Sequence, residues 1–141
     1  MKRFEWIEHP SDVGFRAYGK TVSEAFENAA LALFEIMVDT AKVEPKIKHE
    51  VKLSAEDLGA LLYDWLDRLI ALYDSEGVVC SQFRVKISKT SEGYQLEGEV
   101  WGEHFDPAKH SERTAVKAMT YHLMEIHEEP ENCWVQAVVD I

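Results

Sequence analysis

VVCSQFRVKISKTSEGYQLEGEVWG, residues 78–102, decides the fold class. Two runs rich in Val, Ile, Phe, Tyr and Trp, with partial alternation, flank the short polar loop SKTSEGY, which contains Gly93. That is the pattern of a β-hairpin. Two consecutive strands argue against a purely parallel α/β sheet and for a layered α+β fold.

Working outward, three segments carry helical period. In TVSEAFENAALALFEIMV, residues 21–38, Thr21 and Glu24 form a capping box, and Val22, Ala25, Phe26, Ala29, Leu33 and Met37 share a face. In SAEDLGALLYDWLDRLIALYD, residues 54–74, Ser54 and Asp57 stand at cap spacing before a stripe of Leu58, Leu61, Leu62, Trp65, Leu66, Leu69 and Tyr73. The third, SERTAVKAMTYHLMEIHEEP, predicts a helix from about Ser111 to a stop near Pro130. Strand signals in RFEWI, FRAYG, HEVKL and CWVQAVVDI complete the order β-β-α-β-α-β-β-α-β. The expectation is a single α+β domain over residues 1–141, its mostly antiparallel or mixed sheet packed by helices.

The chain has 26 acidic and 15 basic residues, a net charge of −11. Nucleic-acid binders gain affinity by neutralising phosphates with Lys and Arg, so direct, stable binding of RNA or DNA is disfavoured. Such a charge attracts a basic protein or a metal cation instead. No run approaches the roughly 20 apolar residues of a membrane span, and the charged start MKRFEWIEHP lacks a signal-peptide core. The expected location is the cytoplasm. Cys80 and Cys133 sit in strand-like apolar runs, which suits buried thiols rather than a disulfide framework.

GFRAYGKT, residues 14–21, matches the spacing of a phosphate-binding P-loop. Its four central residues alternate in size and polarity like a strand, whereas a P-loop must wrap backbone N–H groups around phosphates. The match is read as accidental. Six histidines occur without H-E-x-x-H or C-x-x-C spacing, so no zinc site is expected, and His122 reads as a packing residue of the third helix. No G-x-S-x-G elbow supports a hydrolase.

Two polar groupings remain. Asp12, in HPSDVGF, and Asp140, in VVDI next to the α-carboxylate of Ile141, converge if the last strand lies beside the one that follows Asp12. Three close carboxylates call for a cation, and oxygen-only ligands suit Ca2+, Mg2+ or Mn2+. The alternative is that these acids are simply solvated. The second grouping is GEHFDPAKHSERTAVKAMTYH, with Glu103, Asp106, Lys109, His110, Lys117 and His122. Together with His9 these are candidates for a functional or partner-docking surface, against the reading of a salt-bridged helix start.

HPSDVGF, LLYDWLDRLIALYD, GEHFD followed by HSERTAVKAMTYH, and the closing VVDI together resemble the archease family over essentially the whole chain. The resemblance implies an accessory protein, not an enzyme: an activator of RtcB-type RNA ligases in tRNA splicing and RNA repair that promotes ligase guanylylation and multiple turnover. A chaperone-like role toward an RNA-modifying methyltransferase is the family's other implied activity. A metal-dependent enzyme in its own right, with His110 or His122 as base, is the competing class. The family's metal site maps onto Asp12, Asp140 and Ile141, with calcium the implied ion.

Overall fold

The computed structural model describes residues 2–8 and 12–141. His9 lies outside the described residues. The elements are β1 (Phe4–Glu8), β2 (Asp12–Gly19), α1 (Val22–Met37), a 3-10 turn (Thr40–Lys42), β3 (Ile47–Ala55), α2 (Leu58–Glu76), β4 (Val78–Thr90), β5 (Gly93–His104), α3 (Pro107–His110), β6 (Ala118–His127) and β7 (Cys133–Asp140). They build two antiparallel sheets, ordered β1-β2-β7-β6 and β3-β5-β4. The α+β class stands, as does the order of elements through α3.

Local chemistry sets the helix ends. Thr21 Oγ1 accepts the Glu24 N–H at 3.1 Å, and Glu24 Oε1 accepts the Lys20 N–H at 3.0 Å, so the capping box closes one residue early. Asp57, not Ser54, caps α2, accepting the Ala60 N–H at 2.8 Å, while Ser54 belongs to β3. Gly77 ends that helix in the left-handed region, at φ 66°, where glycine carries no Cβ penalty.

Both helices serve both sheets. α1 packs on β2 and β7 of one sheet and on β4 of the other; α2 packs on β6 and on β3, β4 and β5. Trp65 is the pivot of this layer. It is fully buried, donates Nε1–H to the Phe26 carbonyl at 3.0 Å, and lies against Gly98, where a Cβ would approach its ring to 2.9 Å. α1 also covers the free edge of β4: Glu27 accepts the Val85 N–H at 2.8 Å and Ser23 accepts the Ile87 N–H at 3.1 Å. An edge blunted in this way cannot recruit another strand there.

The segment expected to form the third helix is a correction. Helix α3 is a single turn ending at His110, residues 111–117 are irregular, and 118–127 is an added strand, β6. The cause is a large bulge. Thr120 pairs with Val138 and Glu125 with Gln136, so four residues of β6 stand opposite Ala137 alone. The inserted residues put Met119, Leu123 and Ile126 at i, i+4 and i+7, a helical spacing by coincidence. GFRAYGKT is β2 and the cap of α1, so it forms no phosphate loop. Both cysteines are free and buried, and burial pushes the Cys80 thiol up to about 12, which removes it as a nucleophile.

Trp65→Phe keeps most of the apolar contact but deletes the buried hydrogen bond and leaves a void. It is expected to cost about 2 kcal/mol. Urea denaturation should show a lower midpoint with an unchanged m-value.

Candidate functional site

Strand parity divides the β1-β2-β7-β6 sheet into two chemically different faces. Phe15 and Ala17 of β2, with Cys133, Val135, Ala137 and Val139 of β7, are buried against the helices. The intervening residues face away: Asp12, Gly14, Arg16 and Tyr18 on β2, and Trp134, Gln136, Val138 and Asp140 on β7. On this outer face the Arg16 guanidinium lies 3.9 Å over the Trp134 ring and donates to Gln136 Oε1 at 2.9 Å. Trp134 stacks on His127 of β6, with ring centroids 5.2 Å apart. Gly14 lets the neighbouring strands pack closely here, since a Cβ would meet both Ile7 and Val138 at a tight 3.3 Å.

Asp12 and Asp140 are direct cross-strand partners at one end of this face. Opposed residues of an antiparallel pair bring their Cβ atoms to about 5 Å, so the two carboxylates share one small volume. β6 closes the other side of Asp140. Ala118 is its register partner, and the Lys117 N–H donates to the Asp140 carbonyl at 2.8 Å. Among the described residues no group of three or more His, Cys, Asp or Glu side chains forms a metal cage. The donor set here is two side-chain carboxylates. Ile141 follows directly after β7, and an ion held between the two aspartates would need further oxygen ligands, a set that suits a hard cation.

The second grouping resolves into three places. Glu103, Asp106, Lys109 and His110 form one network. The fully buried His110 accepts the Asp106 N–H on Nδ1 at 2.8 Å, so its proton resides on Nε2 and is directed at Glu103 Oε2, 2.9 Å away. Lys109 Nζ lies 2.8 Å from Glu103 and 3.2 Å from Glu44, whose N–H also donates to Glu103 at 2.8 Å. Asp106 caps α3 through the Ala108 N–H at 3.0 Å. These contacts tie the chain after α1 to the end of β5. The network therefore acts as a structural clasp, and its buried histidine has both ring nitrogens engaged.

Lys117 belongs instead with Asp140, as described above. His122 is exposed on the β6 bulge, not packed in a helix. Arg16, Gln136 and Trp134 were not picked out by motif. The alternation of DVGFRAYG, which puts Arg16 and Tyr18 on the face of Asp12, is the signal that locates them.

Burial alone would raise the Glu103 pKa, but the Glu44 N–H, the Lys109 ammonium and the His110 N–H hold it down at about 2, against an ordinary 4.5. A carboxyl lowered by folding stabilises fully above its unfolded value, and that contribution is lost as pH falls through its folded value. Glu103→Gln is thus expected to be less stable than the parent at neutral pH. The two should converge as pH drops from about 4.5 to about 2, which acid titration of Tm checks.

The archease protein family matches residues 4–141. Protein archease of Sulfurisphaera tokodaii is 52% identical over 141 residues, covering all of both chains. That of Pyrococcus abyssi is 47% identical, again over the full length of both. The solution structure of Methanobacterium thermoautotrophicum protein 1598 superposes with a TM-score of 0.88 at 42% identity, covering all of both chains. An archease of Thermotoga maritima, described as a possible chaperone, shares the fold with a TM-score of 0.63 at 21% identity, over 96% of this chain and 94% of that one. With two carboxylates opposed at the joined ends of β2 and β7 and full-length relatives that bear one name, the chain belongs to the archease family.

Proposed function

We propose that this protein is a non-catalytic accessory factor that activates an RtcB-type RNA ligase, promoting its guanylylation and repeated turnover in tRNA splicing and RNA repair. The observation that carries the reading is the Asp12–Asp140 pair on the helix-free face of the sheet. Two carboxylates and the terminal carboxylate of Ile141 offer a divalent cation, Ca2+ first and Mg2+ or Mn2+ next, an oxygen set that leaves coordination positions open. Bound there, such an ion supplies positive charge for nucleotide phosphates. Lys117 fixes the Asp140 main chain, and the β2–β7 ladder holds the two side chains in register. The net charge of −11 favours encounter with a basic nucleotide and RNA cleft, and the reading places the protein with its ligase in the cytoplasm. Among the described residues no helix is long and apolar enough to cross a membrane.

The test is ligase guanylylation with GTP and a divalent ion, with and without this chain. The wild type is expected to stimulate the reaction. Asp12→Asn, Asp140→Asn and a C-terminal extension should each lose at least about 90% of that stimulation, at a cost on the scale of one charge-assisted contact. Added Ca2+ should raise Tm of the wild type and not of either Asn variant. Equal stimulation by all forms would remove the carboxylate pair from the mechanism.

Stimulation should also weaken as salt rises, because exposed charges are screened beyond about 8 Å at 0.15 M ionic strength. Assays at low ligase concentration in graded KCl check this. A flat response would exclude electrostatic steering.

A further inference from the structure

Of the four exposed large apolar side chains among the described residues, Tyr121 (58%), Leu123 (45%) and Ile141 (38%) lie on β6 or at the end of its partner β7. Tyr121 and Leu123 are carried by the bulge of β6, the outermost strand of its sheet. Singly scattered apolar residues need no explanation, but two carried on one edge bulge call for one.

The bulge is also built at a cost and specifically held. Leu123 adopts φ 56°, a left-handed conformation that a leucine disfavours. Its carbonyl accepts a 2.8 Å hydrogen bond from Nε2 of the buried Gln136, whose Oε1 is in turn held by Arg16 at 2.9 Å. At the start of the bulge the His122 N–H donates to Thr120 Oγ1 at 3.0 Å. The Tyr121 ring stacks on Tyr63 of α2, with centroids 4.2 Å apart and planes 11° from parallel. The buried Gln136 and an aromatic stack thus fix a strained loop that presents apolar groups to water. Bulges at sheet edges commonly serve to re-aim side chains, and strain held in place by its surroundings is a pointer to function.

The surroundings select the occupant. Asp64 and Asp57 of the α2 side lie close enough to act on the Tyr121 phenol. An apolar anchor rimmed by carboxylates, on a chain of net charge −11, is complementary to an apolar pocket rimmed by Lys and Arg.

We infer that the β6 bulge, through Tyr121 and Leu123, is the docking surface for a basic protein partner. This rests on the function proposed above, with the ligase as the partner. Leu123→Asn is the sharpest variant, since Asn accepts the left-handed conformation and removes only the apolar side chain. Its Tm should equal or exceed that of the wild type. Ligase affinity, measured by calorimetric titration, should fall at least tenfold for Leu123→Asn and for Tyr121→Ala. Binding by both variants within twofold of wild type would overturn the docking surface while leaving the accessory function intact. Failure of wild type to bind or stimulate the ligase would instead defeat the accessory function, and the docking surface with it. If sedimentation shows a dimer that Leu123→Asn dissolves, the occupant is a second copy and the proposal is wrong.

Discussion

The antiparallel pairing of β2 with β7 is the constraint on which the rest depends. Eight consecutive register pairs, from Asp12 with Asp140 to Gly19 with Cys133, join the beginning of the chain to its end. Because side chains alternate across a strand, this single register fixes two things together. It directs Phe15, Ala17, Val135, Ala137 and Val139 into the core, and it brings two aspartates face to face on the opposite side. A slip of one residue would bury the charges and expose the core. The energetics of the core therefore enforce the geometry of the carboxylates.

The remaining parts support that sheet. α1 and α2 form a layer used by both sheets, with Trp65 linking the helices and leaning on β5. The clasp of Glu103, Lys109, His110 and Glu44 anchors the segment that leaves β5, and that segment then runs back along the end of α1. There the Arg113 and Thr114 N–H groups donate to the Met37 and Ile36 carbonyls, satisfying acceptors that a helix end leaves open. The chain arrives in this way at Lys117 and β6, beside Asp140. The network around the buried His110 thus leads the chain to β6 and to the edge of β7 beside Asp140.

How much of this was legible follows from the same physics. α1 and α2 were readable because caps and apolar stripes are local features, and the β4–β5 hairpin because its loop chemistry is local as well. β6 was not. Its bulge breaks the two-residue period and mimics helical spacing, and only the open edge of β7 explains why residues 118–127 pair as a strand. The Asp12–Asp140 juxtaposition was readable conditionally, given that the terminal strands are neighbours. The cluster around His110 was visible as a set of residue types, but the burial and hydrogen bonding that make it structural depend on Glu44, 59 residues away in sequence from Glu103. Lys117 and His122 stand near that cluster in sequence, whereas the fold assigns them to β6 and its approach. His9 lies outside the described residues.

In the function proposed above, the opposed aspartates form the cation-binding end of the sheet's outer face. Paramagnetic broadening of backbone amide signals by substoichiometric Mn2+ tests it most directly, because the effect is strongly local and needs no partner. The amides of Asp12, Val13, Lys117, Ala118, Val139 and Asp140 are expected to broaden first, with the rest of the acidic surface unaffected at the same ratio. Broadening that begins at the Glu97 and Glu99 face of the other sheet, or that is uniform over all acidic positions, would contradict it.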